Sequence, residues 1–495
     1  MTTPDRPDPE KADMSTPTTS RPPLTRTLGG FQVFAISFAF ISVAVGVFAT
    51  YGQMLQTAGP AGIWLWVIVG IGQTLVALVV AQFAARIALS GSSYQWASRL
   101  ASPRVGWFFG WLSFWFLAIA VVAIADALAG QAIMPMLGIG ADEDLTRWLT
   151  VAILVVQAVL VIASTRLLGV LTAWAVGIEL AIVVVLVVVL LAVSLATGTV
   201  QPENLVSRGV ADADPQYFVL GGGLMAGMLM GLTTLVGFDS AANLAEEAKD
   251  PFRSVPRAIV GSVIAAAVAG LAFLVVLTVS IQDVDAVSTD PSPVAAIIRG
   301  QLGPVWEQIL LAGIAFSMFG AGTVVMAAAA RQAFAMARDG RFPAARLIGR
   351  VDSRTRTPVY ATLLIIAIGC VLMLALPGEA LLQLIIGSTI LPALIYGGTV
   401  VLYLVVRRRL ERRDGGFSLG RAELPVAVAA LVWIVVALLA LVTPGDGLVP
   451  ALVVLGLIAL GAVYFLLLLR LRPGVMDDQP AEDDASDTRA RERAS

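Results

Sequence analysis

The chain of 495 residues is 58% hydrophobic and only 13% charged, whereas soluble globular proteins are about half apolar and about a quarter charged. So large an apolar excess must face something other than water, and we expect a lipid bilayer around it. The single cysteine, Cys370, excludes a disulfide framework and a cysteine-rich metal site. Histidine, the usual metal ligand and proton shuttle, is absent. We therefore expect no cofactor, no metal and no enzymatic activity, and we expect no nucleic-acid partner.

The two ends of the chain differ in composition from its middle. Residues 1–27 are rich in Pro, Thr, Ser, Asp and Arg and contain no apolar run that could serve as a signal peptide. Residues 473–495 are dominated by charged side chains. Because neither segment can bury enough apolar surface to fold, the sequence predicts two disordered cytoplasmic tails around a membrane domain at residues 28–472.

Between the tails, apolar stretches recur at about 20 residues each, the length that a helix needs to cross a bilayer. They predict an all-α integral membrane protein with twelve transmembrane helices. These spans lie near residues 31–56, 62–87, 106–137, 147–165, 172–197, 217–244, 257–281, 305–335, 358–376, 380–406, 424–443 and 448–470.

Lysine and arginine are distributed unevenly among the connections. With the N-terminus in the cytoplasm, 24 of them lie in connections and flanks on the cytoplasmic side, against only Arg147, Arg208 and Arg299 on the opposite side. Cytoplasmic connections of membrane proteins carry such an excess. We therefore expect a multi-pass protein of the cell membrane with both termini in the cytoplasm. We call the side of the membrane that carries Arg147, Arg208 and Arg299 the predicted outer side.

Two connections have predicted structure of their own. Residues 89–100 are polar and amphipathic, which favours a short helix along the cytoplasmic interface. Residues 283–307 contain an apolar stretch, Val294 to Ile298, and are predicted to form an outer lid. No connection contains a Gly-rich phosphate loop, so ATP-driven pumping is not expected. The remaining ways to drive transport are coupling to an ion gradient and exchange of one solute for another.

Spans one and six carry polar residues and glycine at mid-membrane positions. The two runs are Ser42-Val43-Ala44-Val45-Gly46 and Thr233-Thr234-Leu235-Val236-Gly237. Spans one and six are five apart, as in transporters whose five-helix halves are inverted copies with discontinuous first helices. The halves here are about residues 31–197 and 217–406, followed by two extra helices at about 424–470. We interpret both runs as helix breaks, which are tolerated in a membrane only where they line a cavity or meet protein partners. The alternative is that Gly46 and Gly237 merely permit close helix packing.

Three acidic residues lie within spans, where an ionised carboxylate costs about 3 kcal/mol or more unless it is paired, solvated or protonated. Asp239 is a candidate N-cap for the second half of span six, and equally a candidate proton or substrate site. Glu179 has no basic residue within a helical turn, so it is a candidate for proton coupling, with a hydrogen-bonded packing role as the alternative. Asp126, near the outer end of span three, is expected to face an aqueous vestibule.

At these positions the sequence resembles a known family. The run Gly237–Arg257 (GFDSAANLAEEAKDPFRSVPR) is similar to the span-six signature of the amino acid/polyamine/organocation transporter superfamily. The run Arg331–Pro343 (RQAFAMARDGRFP), followed by Arg356-Thr357-Pro358, looks like that superfamily's loop after span eight. Within the superfamily, three shorter runs look most like the amino acid/choline transporter branch: Ser92–Ser98 (SSYQWAS), Tyr51-Gly52 and Gly59-Pro60-Ala61.

The resemblance implies a secondary active transporter of amino acids or related small amines, such as 4-aminobutyrate or choline. It would work by alternating access, with proton coupling or exchange as its drive. The site would lie between the broken spans, with substrate contacts at Ser42, Val43, Ala44, Val45, Gly46, Thr233, Thr234, Leu235 and Gly237. Phe238 and Trp115 are candidates to cover a substrate ammonium, although packing is the alternative role of Trp115.

The same resemblance points to two further candidate site residues. The chain also departs from the family pattern at two positions. Asp239 matches an acid of arginine/agmatine antiporters and is a candidate for pH sensing, and Glu246 is a candidate inner gate. Thr233 stands where those antiporters carry a tryptophan gate, so that gate is not transferred. Many members read Gly-Ser-Gly where this chain has Ala44-Val45-Gly46, which narrows the space above the freed backbone amides.

Three functional classes other than transport fit the sequence less well. A nutrient sensor with a transporter fold remains possible, although no additional signalling domain is visible in the sequence. A membrane enzyme would need a nucleophile and base near the buried acids, and none can be assembled without histidine. A channel would need a continuous polar pore, which these spans do not show.

Overall fold

A computed structural model describes residues 29–87, 92–163, 165–245, 248–352, 355, 357–376, 378–410, 416–444 and 448–477. Within these residues the regular structure is helical and no strand occurs. The predicted N-terminal tail, residues 1–27, lies outside the described residues. So does the predicted C-terminal tail beyond residue 477.

Eleven described helices are long and apolar enough to cross a membrane, and a twelfth, Val359–Ala375, is apolar but shorter. These twelve helices occupy the twelve predicted positions, and the all-α membrane fold is confirmed. In chain order the spans are Gly30–Ala58, Pro60–Ala84, Pro103–Met136, Glu143–Ala163, Leu167–Thr197, Gly223–Asn243, Pro251–Val279, Pro304–Arg338, Val359–Ala375, Gln383–Val406, Gly420–Val442 and Leu448–Leu471.

Several span boundaries differ from the prediction for local chemical reasons. Span seven begins at Pro251 rather than near residue 257, since proline fits the first turn of a helix, where its missing N–H costs no bond. Span six begins at Gly223 rather than near residue 217. Tyr217 instead folds back against the end of span one, where its hydroxyl donates a 2.9 Å hydrogen bond to the carbonyl of Ala58.

Spans one, three and six each contain a segment that departs from regular α-helical geometry. Span one consists of two helices, Gly30–Ile41 and Val43–Ala58, and span six is interrupted around Gly237. The predicted breaks in spans one and six are therefore present. Span three contains a π-helical turn at Leu128–Ile133, which the sequence analysis did not predict.

The spans pack closely through small residues. Span seven lies against span two and the first half of span one, and span eight lies between spans three and five. A Cβ atom on Gly270 of span seven would lie only 2.2 Å from the Trp66 ring of span two. The Trp66 indole N–H donates a 2.8 Å hydrogen bond to the carbonyl of Ala267 beside it. The relation between the two halves as inverted copies stays a prediction.

Both connections with predicted structure contain helices. The helix Ser92–Leu100 follows span two, and it buries Tyr94 and Trp96 against the protein rather than lying free on an interface. Residues 88–91 lie outside the described residues. In the predicted lid, the helix Pro293–Leu302 is held to the start of span eight by two hydrogen bonds of 2.6 and 2.8 Å from Arg299 to the carboxylate of Glu307. The bond to Glu307 also raises the pKa of Arg299.

The predicted orientation can be tested with single cysteines in a Cys370→Ser background. Asp144→Cys lies exposed at the start of span four, on the predicted outer side, and Ser418→Cys lies exposed between spans ten and eleven. We expect a membrane-impermeant maleimide to label intact cells only through Asp144→Cys, and permeabilised cells through both. Labelling of Ser418→Cys alone in intact cells would mean the opposite orientation.

Candidate substrate site

The break in span one is a single residue with left-handed backbone geometry. Ser42 has φ of +42°, an uncommon value for a residue other than glycine, and the second half of the span starts directly after it at Val43. A helix that starts inside the membrane exposes its first backbone N–H groups and the positive end of its dipole. The break therefore creates a position that favours a negative charge.

The carboxylate of Glu179, from span five, occupies this position. Its Oε1 atom accepts hydrogen bonds from the Ser42 hydroxyl at 2.9 Å and from the Ala44 backbone N–H at 3.2 Å. The Glu179 side chain is buried, with 4% of its surface exposed. One amide that sequence analysis assigned to the substrate is thus held by an acid of the protein itself.

The break in span six is stabilised by a tyrosine from span ten. Gly237 has φ of +83°, and its backbone N–H donates a 2.9 Å hydrogen bond to the hydroxyl oxygen of Tyr396. The same hydroxyl donates to Asp239 Oδ1 at 2.8 Å. The expected N-cap at Asp239 is not found, because the capping position falls on Gly237, where the positive φ favours glycine. A short 3₁₀-helix, Phe238–Leu244, follows.

Phe238 belongs to the same cluster. Its ring stacks on Tyr396 with 4.7 Å between the ring centroids, and its carbonyl accepts a 2.8 Å hydrogen bond from the Ser37 hydroxyl. The side chain is completely buried. Phe238 therefore packs below the break of span six and does not face open space.

The two interrupted spans meet at glycine positions. A Cβ atom on Gly46 would lie 2.0 Å from Thr234 Oγ1, and one on Gly237 would lie 2.2 Å from the Phe40 ring of span one. The structure thus brings together the two segments that the sequence paired. The close approach also shows that Gly46 has a packing role, as the alternative interpretation proposed.

A cavity of about 630 Å³ opens above this contact, within the size range of small-molecule sites. It is bordered by three connections that all belong to the predicted outer side, at Ala141 and Asp142, at Pro291 and at Gly378. Its wall includes Asp126, as expected for an aqueous vestibule, together with Ala49, Thr50 and Gln53 of span one. On span six it is lined by Leu229 and by Thr233, which directly precedes Thr234. We call this space the outer vestibule.

Other predicted site residues lie away from the outer vestibule. Ser42, Val43, Ala44, Val45 and Thr234 are buried, as are Leu235 and Gly237, and none of them borders it. Trp115 packs against Trp111 and Phe114 with ring centroids 6.0 and 5.4 Å away. Glu246 lies outside the described residues. A larger surface groove of about 720 Å³, near Phe342 and Leu468, is remote from both breaks.

Two features of the site were missed by sequence reasoning. Tyr396 is one of two tyrosines in the apolar span ten, and a buried phenol normally finds a hydrogen-bond partner, which was the available signal. The π-helical turn Leu128–Ile133 of span three has no comparable signal in its residues LAGQAI. Among the described residues no group of three or more Cys, Asp or Glu side chains is arranged to hold a metal ion.

Comparison with known proteins agrees with this architecture. The family model described as amino acid permease matches residues 28–466. The chain is 25% identical to the amino-acid permease BAT1 of Arabidopsis thaliana, covering 83% of this chain and 84% of that protein. It is 25% identical to the branched-chain amino acid permease BcaP of Lactococcus lactis, covering 74% and 79%. It is 26% identical to the GABA-specific permease of Saccharomyces cerevisiae, covering 81% and 73%.

The contact between the two breaks can be tested by a substitution and its rescue. Gly46→Ala should lower stability by about 1–3 kcal/mol, because the new methyl group overlaps the Thr234 side chain. Thr234→Gly in the same chain removes that side chain and should restore much of the loss. Thermal unfolding in detergent measures both effects. A Gly46→Ala variant as stable as the parent would contradict the close approach.

Proposed function

The chain belongs to the amino acid permease family, and from this premise we propose that it is a secondary active transporter of amino acids or related small amines, driven by protons. Membership confirms the resemblance to the amino acid/polyamine/organocation superfamily. Permeases move solutes and are not enzymes. The named relatives differ in the substrates that their names print, so the substrate of this chain is proposed from its own site.

The observation that carries the proposal is the position of the Glu179 carboxylate at the start of the second half of span one. A half-helix N-terminus in a transporter attracts the carboxylate of a substrate. Here the Ala44 amide already binds an acid of the protein. A substrate carboxylate must therefore displace Glu179 or lie beside it.

Competition between the two carboxylates supplies a route to proton coupling. Two negative charges a few ångströms apart in a site of low dielectric repel each other strongly. A proton on Glu179 removes this repulsion and frees the Ala44 amide and the Ser42 hydroxyl for the substrate. By linkage, substrate binding favours protonation of Glu179 to the same extent that protonation favours substrate binding.

The outer vestibule gives this mechanism a direction. The vestibule reaches Thr233, while Ser42 at the break of span one and Phe238 just past the break of span six are buried. We infer an outward-facing state, which admits substrate and proton from outside the cell. Rearrangement of the two half-helices around Ser42 and Gly237 would then open the cytoplasmic side.

Transport itself is tested with the purified chain in proteoliposomes. Labelled amino acids, 4-aminobutyrate and choline are offered with and without an inward proton gradient. We expect saturable accumulation of at least one solute that depends on the gradient. Measurable binding without flux of any solute would contradict transport and favour the sensor alternative.

The coupling role predicts a specific phenotype for Glu179→Gln. The amide oxygen of glutamine can still accept from Ser42 and Ala44, but the side chain does not titrate. We therefore expect gradient-driven accumulation to be lost while exchange of labelled for unlabelled substrate continues. Glu203→Gln, which removes an exposed acid from the predicted outer side, is the control and should transport normally. Normal accumulation by Glu179→Gln would remove this residue from the mechanism.

A further inference from the structure

A groove on the surface of the bundle plays no part in the proposed transport mechanism. It lies between the loop after span eight and the end of span twelve, and its volume is about 720 Å³. Both elements belong to the predicted cytoplasmic side of the membrane. We call this space the span-twelve groove. It is lined by Phe342–Leu347 of the loop and by Tyr464, Leu467, Leu468, Leu471 and Arg472 at the end of span twelve.

The walls of the groove are fixed to span three by aromatic packing. The Phe342 ring of the loop meets the Phe114 ring edge-on, with 4.9 Å between the ring centroids. The Tyr464 ring of span twelve stacks on Trp111, with the centroids 6.1 Å apart. Both walls therefore stand on packed side chains, and the groove is formed before anything binds to it.

The apolar wall of the groove faces the space that lipid occupies. Leu467 and Leu471 are 48% and 78% exposed, and Leu347 on the loop is 43% exposed. From Tyr464 to Arg472 this wall extends about 12 Å along the helix axis, at 1.5 Å per residue. The hydrocarbon region of one leaflet is about 15 Å deep, half the thickness of the bilayer core. The groove therefore has the length that one acyl chain needs.

Two positive side chains, Arg346 and Arg472, line the same groove, and both are exposed. Neither forms a salt bridge with an acidic side chain of the described residues, and none of the described acids lines the groove. A 3.4 Å hydrogen bond from Arg472 to the Gly340 carbonyl holds this arginine beside the loop. Basic pockets on the cytoplasmic side of membrane proteins bind the headgroups of anionic lipids.

Three other occupants match the groove less completely. Inorganic phosphate pairs with the arginines but leaves the exposed leucines uncovered. Residues 478–495 begin with an acidic run, but they contain no apolar side chain larger than proline. A second copy of the chain that met this groove across a two-fold axis would bring the arginines of both copies together. A phospholipid combines a phosphate with a chain that covers the apolar wall.

From these observations we propose that the span-twelve groove binds one anionic phospholipid of the cytoplasmic leaflet. The phosphate lies between Arg346 and Arg472, and one acyl chain lies along Tyr464, Leu467 and Leu471. The bound lipid connects span twelve to the loop after span eight. This inference concerns a second ligand and does not depend on which solute the chain transports.

Native mass spectrometry of the purified full chain tests the proposal by titration with two phospholipids that have the same acyl chains. We expect one phosphatidylglycerol to be retained at concentrations where phosphatidylcholine is not, and inorganic phosphate not to displace it. Arg346→Gln combined with Arg472→Gln should weaken phosphatidylglycerol binding by about fivefold for each arginine, about 25-fold in total. Equal retention of the two lipids by the parent chain, or unchanged binding in the double variant, would overturn the site.

Three further variants separate the groove from general charge effects. Arg350→Gln removes an exposed arginine of the same loop that does not line the groove, and it should bind phosphatidylglycerol like the parent. Replacement of Arg346 and Arg472 by lysine keeps both charges and should keep the lipid preference. A chain that ends at Asp477 should retain phosphatidylglycerol at least as well as the full chain. Retention seen only in the shortened chain would assign the groove to the acidic tail, and a dimer that the glutamine variant dissociates would assign it to a second copy. Either result would overturn the proposal.

Discussion

The proposed mechanism depends on one interaction, in which the carboxylate of Glu179 binds the start of the second half of span one. A helix that is interrupted within a membrane exposes backbone amides that lipid cannot satisfy. Glu179 satisfies one of them, at Ala44, and also binds the Ser42 hydroxyl at the break itself. Structural stability and transport thus make competing demands on the same atoms. A substrate carboxylate is accommodated only when Glu179 changes its charge or its position.

The two breaks are built differently, which suggests different roles. In span six the freed amide of Gly237 donates a hydrogen bond to the neutral phenol of Tyr396. The hydroxyl of Tyr396 in turn donates a hydrogen bond to Asp239. Phe238 and Tyr396 stack below it and close that side. We infer that the span-six break is a hinge stabilised by packing, whereas the span-one break is where charge is exchanged. The outer vestibule meets span six at Thr233, immediately above the contact between the two spans.

Much of the fold follows from local sequence signals. Stretches of about 20 apolar residues give the spans, and the isolated polar and glycine residues around Ser42 and Gly237 give the breaks. The contact between Ser42 and Glu179 does not follow, because 137 residues separate them and an apolar span gives no sign of which face meets which neighbour. The contact of Tyr396 with Gly237 and Asp239 could not be predicted for the same reason, since the sequence does not show which face of span ten meets span six. For Trp115 the sequence suggested a binding role that its contacts do not support. Its ring packs against those of Trp111 and Phe114.

The central claim is that substrate and Glu179 compete for one half-helix terminus, so that binding takes up a proton. Calorimetric titration of the purified chain with its transported substrate, in buffers of different ionisation enthalpy across about pH 5 to 9, counts that proton directly. Competition for the terminus predicts uptake of up to one proton per substrate over part of this range, and none in Glu179→Gln. Binding that exchanges no proton at any pH, or uptake that persists in Glu179→Gln, would contradict it.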